Sequence, residues 1–121
     1  MLMRLFAILA VVAFISMPAG AAADTEFDAF WVKFKGAIQK NDKAAVTSMT
    51  KLPYMLESKD LNKDQFAQKY NAIFTPSVRK CLLKEKPLKD KDCYMVFCGE
   101  EIFIFAKVKG KYMFTEIGAN D

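Results

Sequence analysis

Histidine is absent from this chain. The commonest general base and the commonest zinc ligand are therefore missing. Glycine is scarce, at 5 residues of 121, and none has the spacing of a phosphate-binding loop or a nucleophile elbow. The acids are scattered. Asp60/Asp64 and Asp90/Asp92 lack the spacing of a calcium loop and have lysines among them. No metal site and no cofactor is expected. The charge of one sign is also modest: 18 Lys and Arg against 14 Asp and Glu give +4, too little and too dispersed for a nucleic-acid footprint. The densest basic stretch, Arg79, Lys80, Lys84, Lys86, Lys89 and Lys91, is broken by Glu85, Asp90 and Asp92 and reads as a solvated surface.

Long hydrophobic runs are missing too. Leu5 to Ile15 is unbroken, about half of the roughly 20 residues a membrane-spanning helix needs. Arg4 precedes it. Ser16, Pro18 and Gly20 break the apolar character after Ile15, and Ala21-Ala22-Ala23 offers small residues at a cleavage site. Residues 1–23 therefore read as a secretory signal peptide cut before Asp24. That leaves a single domain over 24–121, exported to the periplasm or secreted, with no stable membrane insertion after cleavage.

Cysteine is rare and odd in number: Cys81, Cys93 and Cys98. An oxidising compartment permits a disulfide. Cys93 and Cys98 stand an odd number of residues apart on one expected strand, so they point to opposite faces. If a bond forms, Cys81 is its member, with Cys93 or Cys98 as partner; otherwise all three are buried or reduced thiols.

What the chain does have is aromatic: 11 Phe, 4 Tyr and 1 Trp. Phe27, Phe30, Trp31, Phe34, Ala37 and Ile38 recur at helical spacing over 25–39, with Asp24 or Thr25 as N-cap. Asn41-Asp42 breaks the pattern and caps a second helix through Ala45, Val46, Met49 and Leu52, which Pro53 ends. Tyr54-Met55-Leu56 is a short strand or docked loop, and Glu57 to Asp60 is exposed. Asn62 and Gln65 predict a capping box for a third helix, with Phe66, Tyr70, Ile73 and Phe74 inward. Thr75-Pro76 opens a short fourth helix, and 84–92 is a linker. Residues 93–98, 101–108 and 111–117 then predict three antiparallel strands with breaks at Gly99-Glu100 and Lys109-Gly110. Tyr94, Val96, Phe103, Phe105, Tyr112 and Phe114 share one face. Met95, Phe97, Ile102, Ile104, Ala106, Met113 and Ile117 share the other. With both faces apolar, each must be covered, line a pocket, or meet another subunit.

This order is α+β. The long aromatic helix Phe27 to Ile38, the Lys40-Asn41-Asp42 step into Val46-Thr47-Ser48-Met49, and the final meander through Gly110-Lys111-Tyr112-Met113-Phe114-Thr115 resemble the NTF2-like (cystatin-like, cone-shaped) superfamily. The stretch Phe30-Trp31…Phe34…Asn41-Asp42…Val46…Leu52-Pro53, with Phe74-Thr75-Pro76, is similar to small secreted bacterial proteins of that kind. The resemblance implies N-terminal helices packed on a bent antiparallel sheet, in a superfamily of isomerases, dehydratases and non-catalytic binding domains. Fold alone does not choose among these.

The leading expectation is non-catalytic binding of a small apolar ligand or of an envelope protein. Tyr94, Phe103, Phe105, Tyr112 and Phe114 would line the site, with Trp31 or Phe34 closing from the helix. One alternative is a lyase or isomerase whose base is Glu101 or Glu116, both placed by register on the aromatic face, where burial would raise a carboxyl pKa. Another is an interaction protein that forms a homodimer through the sheet.

Overall fold

The computed structural model describes residues 19–119. The expected leader falls largely on 1–18, outside the described residues; its remainder, 19–23, is helical. Helix α1 runs over Ala19–Lys40, so neither Asp24 nor Thr25 caps it. The helical stripe lies where the spacing puts it. Phe27, Trp31, Phe34, Ala37 and Ile38 are buried, and Phe30 is half-buried against them.

Asn41 ends α1 in the left-handed conformation, φ 52°. The amide of Asp42 donates to Ala37 O at 2.8 Å and that of Asn41 to Ile38 O at 3.0 Å. These two bonds satisfy the last carbonyls of the helix in a Schellman motif. Asp42 then accepts from the Ala45 amide and caps α2, Lys43–Ser48. The junction is pinned by Tyr70, whose hydroxyl donates to Asn41 Oδ1 at 2.9 Å. Helix α2 stops well short of Leu52.

Tyr54–Leu56 takes the strand form, one of its two expected alternatives, as β1, and pairs in a hairpin with β2 (Lys59–Leu61), for which the sequence predicts no strand. The capping box at Asn62/Gln65 is present at α3, Lys63–Ile73. Thr75 and Pro76 open α4, Pro76–Lys84.

The C-terminal sheet has four antiparallel strands in the order β3-β4-β5-β6: Leu88–Asp90, Cys93–Cys98, Glu101–Val108 and Lys111–Ala119. The first of these lies inside the stretch expected as linker. Gly99 (φ 66°) turns β4 into β5, and Lys109-Gly110, both at positive φ, turn β5 into β6. Such turns match the twist of paired strands. The helices pack on one face of this sheet. Phe27 stacks on Tyr94 with ring centroids 3.7 Å apart, Phe34 meets Phe105 edge-on at 5.1 Å, and Phe74 meets Phe114 at 5.4 Å. A disulfide joins Cys81 of α4 to Cys98 at the end of β4, fixing one of the two pairings left open by the sequence. Cys93 remains a free thiol.

One irregularity corrects the expected register. Ile104 pairs with Glu116 but Phe105 pairs with Phe114, so Thr115 is an extra residue in β6. This β-bulge inverts the alternation beyond it. Ile117 comes to lie opposite Phe103 and packs on the core, and Glu116 lies opposite Ile104 on the outer face.

Candidate functional site

The structure brings the expected aromatic set together. Phe34, Phe103, Phe105 and Phe114 are fully buried, Trp31 and Tyr94 are each 7% exposed, and Tyr112 is half-buried. They do not enclose a space. Phe105 lies 5.7 Å from Phe114, Phe103 lies 5.8 Å from Phe114, and Trp31 meets Phe105 edge-on at 5.3 Å. These are ordinary separations for packed rings. Phe34, Phe103, Phe105 and Phe114 are thus the hydrophobic core itself, whereas Trp31, Tyr94 and Tyr112 also reach the surface.

The candidate acids stand elsewhere. The bulge turns Glu116 to the outer face, where it is exposed. Glu101, the first residue of β5, is also exposed. Neither carboxylate is enclosed by aromatic rings, so the enclosure that a general base needs is missing at both positions. Their charges are felt at Tyr54: burial first, and then Glu101 and Glu116, push that phenol above the ordinary tyrosine range. Among the described residues, no group of three or more Cys, Asp or Glu is arranged to hold a metal ion. No described helix is long and apolar enough to cross a membrane.

Two surface features stand out among the described residues. The first is the outer face of the sheet. Register places Cys93, Met95 and Phe97 of β4 beside Ala106, Ile104 and Ile102 of β5, with Leu88 of β3 opposite Met95 and Met113 of β6 opposite Ala106. Leu88 is 55% exposed and Phe97 37%; Met95, Ile102, Ile104, Ala106 and Met113 are half-buried. No described helix covers this face. Strand alternation makes the face legible in the sequence, except for Leu88, whose three-residue strand carries no pattern of its own.

Cys93 lies on the same face, half-buried, its thiol donating to Asp90 O at 3.3 Å. Burial, followed by the negative charges of Asp90, Asp92 and Glu116, pushes this thiol above its ordinary pKa. It is therefore protonated at neutral pH and contributes a small, weakly polar group to an apolar surface.

The second feature is a groove of about 470 Å³ between α1 and the end of α4. Trp31 and Tyr94 reach its floor beside Phe27, and Lys35, Leu83 and Pro87 are among its walls. These residues come from three separate segments of the chain, so nothing in the linear sequence marks them as neighbours. Compared with known proteins, the chain matches no family model, no curated protein and no solved structure.

Proposed function

We propose that this chain is an exported, non-catalytic interaction domain that pairs with a second copy of itself through the outer face of its sheet. The observation that carries the reading is an antiparallel sheet apolar on both sides and covered on only one by the described residues. The helices use up the aromatic face. The row Met95, Phe97, Ile102 and Ile104, with Leu88, is left partly open to water. A contiguous apolar patch of this kind is often a contact surface.

Geometry supports a like partner. With strands about 4.8 Å apart and a rise of about 3.3 Å per residue, four strands over the length of β4 present roughly 400 Å² in projection. Two such faces closing together fall within the range of weak, reversible interfaces, under about 1,200 Å² in total. The edges of the sheet offer less. Strand β3 is a three-residue edge bearing Lys89 and Asp90, and β6 is already engaged by Lys51 N to Phe114 O and Phe114 N to Met49 O, both 2.8 Å. A protonated thiol at Cys93 is compatible with a dry contact.

Export is supported by the leader-like segment 1–23 and by the Cys81–Cys98 bond, which belongs to oxidising compartments such as the periplasm or the exterior. The order of elements, with α1 laid across a four-stranded meander, supports reading the domain as a reduced NTF2-like arrangement with fewer strands than a complete cone.

The test is sedimentation velocity on the exported protein over a roughly hundredfold concentration range. A concentration-dependent dimer is expected, and Ile104→Glu, at a half-exposed position, is expected to weaken it at least about tenfold with the fold retained. A protein that stays monomeric throughout, with Ile104→Glu indistinguishable from the parent, overturns the reading.

A further inference from the structure

The groove between α1 and α4 carries an inference independent of the sheet face. Its floor is aromatic: Phe27, Trp31 and Tyr94 line it, with Tyr94 stacked on Phe27 at 3.7 Å. Leu83, 40% exposed, and Pro87 form an apolar wall from the end of α4 and the turn after it. At about 470 Å³ the groove has the size of small-molecule sites. Its polar groups are unevenly placed. Asp28, Lys84, Glu85 and Lys86 are exposed at the rim, whereas Lys35 is half-buried and holds its ammonium 5.9 Å from the centre of the Trp31 ring. Trp31 itself is more than nine-tenths buried, yet its indole N–H makes no hydrogen bond to a described residue and is not sealed from solvent. On its α1 side the groove thus presents a cation close to the ring that carries this donor. The other side is bordered by the last turn of α4, whose carbonyls favour positive charge.

We infer that this groove binds a small amphipathic carboxylate, with its acid group at Lys35 and the Trp31 N–H and its apolar body along Tyr94, Leu83 and Pro87. A carboxylate answers both polar groups at once, since it accepts a charge-assisted bond from the ammonium and a second bond from the indole. An alkyl or aryl body covers the apolar wall that is otherwise left wet. A cationic ligand would be repelled by Lys35 over the aromatic floor and would find carboxylates, Asp28 and Glu85, only at the exposed rim, and a neutral one would leave the Lys35 ammonium without an added contact.

The experiment uses octanoate and its neutral amide as probes on the exported protein. Trp31 is the single tryptophan of the chain, so its emission reports the groove directly. Octanoate is expected to shift the emission saturably, with the amide at least about tenfold weaker. Lys35→Glu is expected to weaken octanoate by about tenfold or more, and Leu83→Glu to weaken both probes. Trp31→Phe, with binding read by calorimetry, keeps the ring packing and removes the donor; about tenfold weaker octanoate binding is expected. Equal binding of octanoate and amide, unchanged by Lys35→Glu, overturns the assignment of an acid site. No saturable shift with either probe overturns the groove altogether. Ile104→Glu serves as the control for the sheet face: if that substitution abolishes the octanoate response, the probe sits on the sheet and the inference fails.

Discussion

Phe34 is the residue at which a packed core and a ligand-lined cavity make opposite demands. It is fully buried on α1. Its ring centroid lies 5.7 Å from Phe30, 5.9 Å from Trp31, 5.1 Å from Phe105, and 6.3 Å from both Phe74 and Phe114. Truncation to alanine removes a ring that five others surround. The neighbours belong to α1, to the end of α3 and to two strands, so they cannot all collapse inward. The loss then includes both the transfer free energy and the cavity left behind, about 4 kcal/mol. Phe34→Leu, which keeps most of the volume, should cost about 1.5 kcal/mol. A domain of this size has a total stability of about 5–15 kcal/mol, so Phe34→Ala should lose between about a quarter and four-fifths of it. Urea unfolding followed by far-UV circular dichroism, without reductant, measures both variants. If the aromatic face lined an open site, alanine would merely enlarge it. A loss below about 1.5 kcal/mol for Phe34→Ala would therefore refute the packed-core account.

The same contacts set three further outcomes. Replacing Cys81 and Cys98 by serine opens a loop with a sequence separation of 17, and should cost about 3 kcal/mol, read as a lower urea midpoint. Asn62→Ala removes the side-chain acceptor for the Gln65 amide, at 2.9 Å, and should lower stability by about 1 kcal/mol in the same assay. The Cys93 thiol is held above its ordinary pKa by burial and nearby acids. Its stabilising contribution is present below the ordinary thiol value of about 8.5 and is lost as pH rises through the raised value. Its alkylation by iodoacetamide at a pH of about 8.5 should accordingly lag behind that of a model thiol, and an equal or faster rate would contradict the assignment.

Much of the architecture is written in short-range chemistry. The stripe of α1, the Asp42, Asn62 and Thr75 caps, and the breaks at Gly99 and Gly110 each depend on residues within one turn of each other, and all are legible. Three features are not. The β-bulge depends on a single extra residue, Thr115, that looks like any other strand residue, yet it decides whether Glu116 faces the core or water. Strand β3 is only three residues long, and its Leu-Lys-Asp shows no alternation. The β1–β2 turn uses Glu57 and Ser58 at positive φ, a conformation neither residue announces. Strand alternation gathers the sheet aromatics on one face, but composition does not distinguish lining from filling. That depends on whether the helices fill the space above the sheet, which is a property of tertiary packing.

The bond between Cys81 and Cys98 has a consequence for resistance to proteolysis. Between its two ends lies Glu85–Asp92, part of the longest run of mostly exposed residues in the described chain. It is rich in lysine, as trypsin-like proteases prefer. A cut there leaves both fragments covalently joined, with α4 and β4 still tethered. The nicked protein should migrate intact on a non-reducing gel and separate into two pieces only when reduced. The domain can thus lose a peptide bond at its most vulnerable stretch and remain a single molecule.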